Sequence, residues 1–121
     1  MFDKNLILSY CRSKVEAAHW ASKQLSQKEN PSLYDAMQAS TNTGKAKAYN
    51  AVASVVKKGI TTQSSLAGEL TKMLANVKDS AEFNNSKKPC VEVMLNGESL
   101  VGQAVAISDI SGLLSQKFFE K

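Results

Sequence analysis

The stretch Val91-Glu92-Val93-Met94-Leu95-Asn96-Gly97-Glu98-Ser99-Leu100-Val101-Gly102-Gln103-Ala104-Val105-Ala106-Ile107 decides how this chain is read. Val91, Val93 and Leu95 alternate with Glu92 and Met94, and period-two alternation marks a strand with one buried face. Asn96-Gly97 supplies two residues tolerant of positive φ, the usual loop of a type I′ turn, and Ser99 to Ile107 runs back rich in β-formers. The spacing predicts a β-hairpin. A two-residue loop sets Leu95 opposite Glu98 and Val93 opposite Leu100, so Val91, Val93 and Leu100 share a face. Gly102 then marks a bulge or a close approach of two backbones. Two strands alone are marginal in water, so the ribbon must lie on helices, find a third strand, or pair with a second copy to give a homodimer.

Upstream the pattern changes to the helical period. Ile7, Cys11, Val15, Ala18 and Leu25 recur at three- and four-residue steps, predicting an amphipathic helix from Asn5 to about Ser26. Asn30 offers an N-cap and Pro31 suits a first helical turn, opening a short helix through Leu33, Tyr34 and Met37. The polar run Ser40-Thr41-Asn42-Thr43-Gly44 predicts a break, because such side chains compete for helical backbone groups. A third helix follows on Ala46, Tyr49, Val52, Ala53 and Val56 and ends at Lys57-Lys58-Gly59, where Gly59 can take a left-handed cap. Thr61 or Thr62 caps a fourth helix carrying Leu66, Leu70, Met73, Leu74 and Val77. Asp79 to Pro89 is polar and predicts the longest loop. Beyond the hairpin, Ser108 or Asp109 caps a last helix with Ile110, Leu113, Leu114 and Phe118 on one face. The expected fold class is α+β, one domain over residues 1–121: an N-terminal part of three to four helices, a β-hairpin and a C-terminal helix.

Composition agrees with one folded domain. The chain has 121 residues, 43% hydrophobic and 21% charged, enough to bury about two-thirds of its unfolded surface without staples. No apolar run approaches the ~20 residues of a membrane span. Asp3, Lys4, Arg12 and Lys14 crowd the N-terminal region, which lacks the apolar core of a signal peptide, so the expected location is cytoplasmic with no membrane contact. Cys11 and Cys90 are accordingly expected to be reduced.

The candidate chemistry is sparse. Ala39-Ser40-Thr41-Asn42-Thr43-Gly44-Lys45-Ala46 lines up with a phosphate loop but has alanine for both the first glycine and the magnesium-binding hydroxyl, which favours a helix-capping loop. His19 lies about 12 Å along its helix from Cys11, too far for a thiol–imidazole pair, and meets Cys90 only if the fold brings them together. Glu16, Asp35, Glu69, Asp79 and Glu82 form no acid–base pair by spacing. Asn84-Asn85-Ser86 fits a glycosylation sequon, but without an export signal it reads as loop.

The net charge of +4 is uneven: Pro31 to Gly59 holds Lys45, Lys47, Lys57 and Lys58 against Asp35 alone. Arg12 is the sole arginine, which speaks against bidentate base reading. Trp20, Phe118 and Phe119 are candidate partner anchors, with core packing the competing assignment.

These readings lead to an expected non-enzymatic protein-binding module, with no cofactor, metal site or catalytic residue. It would dock on a protein partner through Val91, Val93, Leu100, Trp20, Phe118 and Phe119, in the manner of small accessory, regulatory or inhibitory proteins of mobile elements. The alternative is a nucleic-acid binder using Lys45, Lys47, Lys57 and Lys58, whose affinity would fall steeply with salt. A weaker alternative is a thiol-dependent enzyme using Cys90.

Overall fold

Three side-chain caps and one close crossing organise the chain, described over residues 2–120 in a computed structural model. Asp3 caps α1 (Lys4–Ser26), its carboxylate accepting from the backbone N–H groups of Asn5 and Leu6. Ser32 caps α2 (Leu33–Lys57) in a reciprocal capping box with Asp35. The Asp35 carboxylate also takes Lys28 Nζ at 2.9 Å, and that contact, followed by the Ser32 N–H, holds its pKa below the usual carboxylate value. Thr62 caps α3 (Gln63–Asn85) by accepting from Ser65 N–H, whereas Cys90 starts α4 (Val91–Ser115) with no side-chain cap.

The fold is therefore an all-helical four-helix bundle, not α+β. No strand forms among the described residues; Phe2 and Glu120 make an isolated antiparallel bridge. The predicted hairpin, and with it the strand-edge route to a homodimer, is replaced by the first two-thirds of α4. The reason is position. α4 packs on α2 along one side and on α3 along another, so apolar residues fall all round it: Leu100, Ala106, Ile107 and Ile110 are buried, while Val101 and Val105 face outward. Such a helix carries no clear 3.6-residue stripe, and part of its sequence alternates by accident. Asn96-Gly97 sits inside it as ordinary helix.

Four other boundaries move for related reasons. The run Ser40 to Gly44 does not break α2, because Thr41 and Thr43 donate their hydroxyls to the carbonyls of Met37 and Ala39 one turn back, at 3.1 and 2.9 Å. The α2 cap is Ser32 rather than Asn30. Asp79 to Asn85 continues α3 instead of forming a loop, because Asn84, only 2% exposed, is fully satisfied: its Nδ2 donates to Val93 O and its Oδ1 accepts from Asn96 Nδ2, each at 2.9 Å. The separate last helix is the end of α4.

The central pair is α2 and α4. α1 packs on the outer side of α2 and α3 on the other side of α4, with α2 and α3 barely touching. Thr41–Glu98 and Tyr49–Asp109 hydrogen bonds show that α2 and α4 run in the same direction. Their backbones come together at Gly44 and Gly102, where a Cβ on either residue would overlap the carbonyl of Ser99 or Thr41. Ile7 and Cys11 of α1, Val52 and Val56 of α2, Leu66 and Leu70 of α3, and Ile107 and Ile110 of α4 are buried in the core. Each of the larger aliphatics contributes about 2 kcal/mol by leaving water.

The helical assignment at Asn96-Gly97 has a direct test. A Cβ at Gly97 would lie 3.5 Å from Asn84 Nδ2, an ordinary contact. Gly97→Ala is expected to raise stability by about 0.5–1 kcal/mol in urea unfolding, through helix propensity. A type I′ turn would lose stability from the same change, so a decrease sinks the helical reading of this segment.

Candidate functional site

α3 is fixed to α4 near both ends. At one end Leu66 and Leu70 are buried in the core and Gln63 Nε2 donates to Leu114 O at 2.9 Å. At the other stands the Asn84–Asn96 clasp. From Leu74 past that clasp to the connecting turn, a groove of about 1070 Å³ opens beside the contact, its lining including the small residues Ala81, Gly97 and Ala104.

Its α3 wall is Leu74, Val77, Lys78 and Ala81, a three- and four-residue spacing that places them on one face. Its α4 wall includes Val91, Met94, Leu100 and Val101, and the connecting turn adds Lys87, Pro89 and Cys90. Val91 and Val101 are 56% and 52% exposed, and Leu74 is also exposed, so apolar area faces water along the groove. The total accessible surface, 7521 Å², exceeds the roughly 6,400 Å² of a compact globule of this mass, as an open-sided bundle requires.

The predicted contact residues separate into three places. Val91, Val93 and Leu100 all border the groove; on the helix Val93 and Leu100 share a face, whereas Val91 stands about 200° round from Val93 at the helix start. Trp20 lies on α1, 67% exposed, and no α1 residue lines the groove. Phe119 is 0% exposed, with its ring edge-on to Tyr10 at 5.7 Å between centroids, while Phe118 beside it is half exposed.

The lysines are likewise dispersed. Lys45 borders a small cleft with Lys14, Asn42, Tyr49 and Asp109; Lys47 borders another with Asp79, Phe83 and Lys87. Lys57 and Lys58 lie exposed at the far end of α2. Gly44 and Lys45, the partial phosphate-loop match, lie within α2, with Gly44 at the helix crossing.

The thiols and His19 also lie apart. Cys11 is buried in α1, and burial, with the Asp109 charge second, pushes its thiol up to about 12, which leaves it protonated and unreactive at neutral pH. Cys90 is exposed at the groove's end, and His19 is exposed on α1. No group of three or more His, Cys, Asp or Glu side chains comes together in a metal-binding arrangement among the described residues. No described helix is long and apolar enough to cross a membrane.

Sequence spacing gave no hint of one polar cluster. Tyr10 and Tyr49 both donate to Asp109 Oδ2, at 2.6 and 2.5 Å, linking α1, α2 and α4 across 99 and 60 residues of chain. Burial and then the hydrogen bond to Asp109 raise both phenols well above their usual pKa, so they remain donors. This carboxylate adds a polar link between α1 and α4, whose side chains Ile7, Cys11, Ile107 and Ile110 belong to one core. The Leu74–Val77–Lys78 wall was also missed as a site, since a stripe at helical spacing reads as core until the groove beside it is seen.

Fold and groove together define a small helical bundle with one open apolar channel. No protein-family model matches the chain, and neither does any curated protein or solved structure.

Proposed function

We propose that this protein is a non-enzymatic protein-binding module whose α3–α4 groove receives one amphipathic helix of a partner. The observation that supports it is the groove itself: Leu74 to Asn85 spans about 17 Å at 1.5 Å per residue, the length of three helical turns. An open channel of that length suits a helix, which buries one apolar face and leaves the other in water. An acyl chain or compact ligand would stay half wetted, whereas small-molecule pockets enclose most of their ligand.

Val101→Glu tests this reading. The residue is 52% exposed, so the carboxylate reaches water and the fold persists, with the melting temperature expected within about 3 °C of the parent. Peptides selected from a displayed library of helical sequences should shift amide signals of Leu74 to Asn85 and Val91 to Ala104. Their affinity should fall at least tenfold in the variant. Selected peptides that perturb other surfaces, or that bind the variant equally well, would refute the groove as the docking site.

A further inference from the structure

We infer that the helix this groove accepts is acidic along one edge, its carboxylates pairing with Lys78 and Lys87; the inference rests on the docking reading above. The charges lining the groove are unequal. Lys78 stands on the α3 wall and Lys87 at the connecting turn, and neither takes part in an ion pair among the described residues. Lys87 Nζ lies 5.0 Å from the Phe83 ring centroid, a contact that orients it without neutralising it. Among the described residues Glu98 is the one carboxylate lining the channel; its Oε2 accepts from Thr41 Oγ1 at 3.2 Å, which turns one oxygen toward α2, and its single charge leaves the two lysines in excess. Of the acids on this part of α3, Asp79 borders the neighbouring cleft, which Lys87 also reaches without an ion pair between them, and Glu82 lines neither opening.

The channel is thus apolar along its length with two free cations, a pattern complementary to an apolar helix face flanked by Asp or Glu. Lys78 lies seven positions before the last residue of α3, about 11 Å at the helical rise, and Lys87 stands two residues beyond that end. Carboxylates eight residues apart on the incoming helix are separated by about 12 Å and can reach both. A second copy fits less well, since its own groove offers one carboxylate against two lysines.

The test uses three helix-stapled peptides with one shared leucine face and Glu, Gln or Lys at two edge positions eight residues apart. Binding is read by fluorescence anisotropy. At low salt the Glu peptide should bind about fivefold to tenfold tighter than the Gln peptide, which should bind tighter than the Lys peptide. The Glu preference should shrink below about twofold in 0.5 M NaCl. Lys78→Gln with Lys87→Gln should abolish the order while preserving the Gln peptide's affinity. Equal affinities, or a preference for the Lys peptide, would overturn the acidic edge and leave helix docking intact. If none of the three binds, docking fails and the acidic edge fails with it. A concentration-dependent dimer in light scattering, lost in Val101→Glu, would assign the groove to a second copy and overturn the foreign acidic helix.

Discussion

Gly102→Val is expected to destabilise the protein by about 3 kcal/mol or more, and to lower its melting temperature correspondingly in a calorimetric scan. At Gly102 the α4 backbone lies directly against the Thr41 carbonyl, and even a Cβ there overlaps that oxygen and crowds Lys45 N. Neither atom belongs to a flexible side chain, so relief requires the two central helices to move apart. Separation would also open the contact at Gly44 against Ser99, because both lie on the same crossing. It would stretch the Thr41–Glu98 and Tyr49–Asp109 hydrogen bonds on either side of it. Gly112 provides the control on the same helix: nothing lies within 4 Å of its added Cβ, so Gly112→Ala should gain up to about 1 kcal/mol from helix propensity. A Gly102→Val variant as stable as the parent would mean that α2 and α4 do not cross where described.

Phe119→Ala should cost about 3–5 kcal/mol, a large share of the 5–15 kcal/mol typical of a domain. The ring is completely buried and meets Tyr10 and Phe118 edge-on at 5.7 and 5.2 Å. It reaches the core because α4 ends in a reversal. Phe118 N–H bonds back to Leu113 O and Lys117 N–H to Leu114 O, with Lys117 at φ 60 in the position glycine usually fills. The Phe119 carbonyl then accepts from Asp3 N–H at 2.8 Å, tying the residue before α1 to the segment after α4. Loss of the ring would leave a cavity beside Tyr10 and loosen that tie. Denaturant unfolding gives the difference directly; a change under about 1 kcal/mol would show that Phe119 is not a core residue and return it to the list of exposed anchors.

The helical course of α1 was legible because it has a packed side and a wet side, whereas α2 reads locally as two helices parted at Ser40 to Gly44. Ile7, Cys11 and Ala18 are buried, Arg12, Ser13 and Lys14 are exposed, and the three- to four-residue period follows from that difference. The Thr62 cap and the positive φ of Gly59 were legible for a local reason: each solves a backbone problem at its own position. Val91, Val93 and Leu100 were grouped as one face of a hairpin that does not form; they border the groove from a helix instead, and the opposite wall, Leu74, Val77 and Lys78, gave the same signal as buried core.

Local chemistry set the caps, the amphipathic course of α1 and the apolar positions of the core, because those depend on neighbours within a turn or two. The form of residues 91–107 depended on contacts far away in the chain. An Asn-Gly pair among alternating apolar residues satisfies a hairpin by itself, but Asn84 accepts from Asn96, Gly102 admits the α2 backbone, and Asp109 gathers Tyr10 and Tyr49. With those partners supplied, continuous helix pairs the interior backbone groups of this segment and packs α4 on α2 and α3. The groove opens beside the α3 contact.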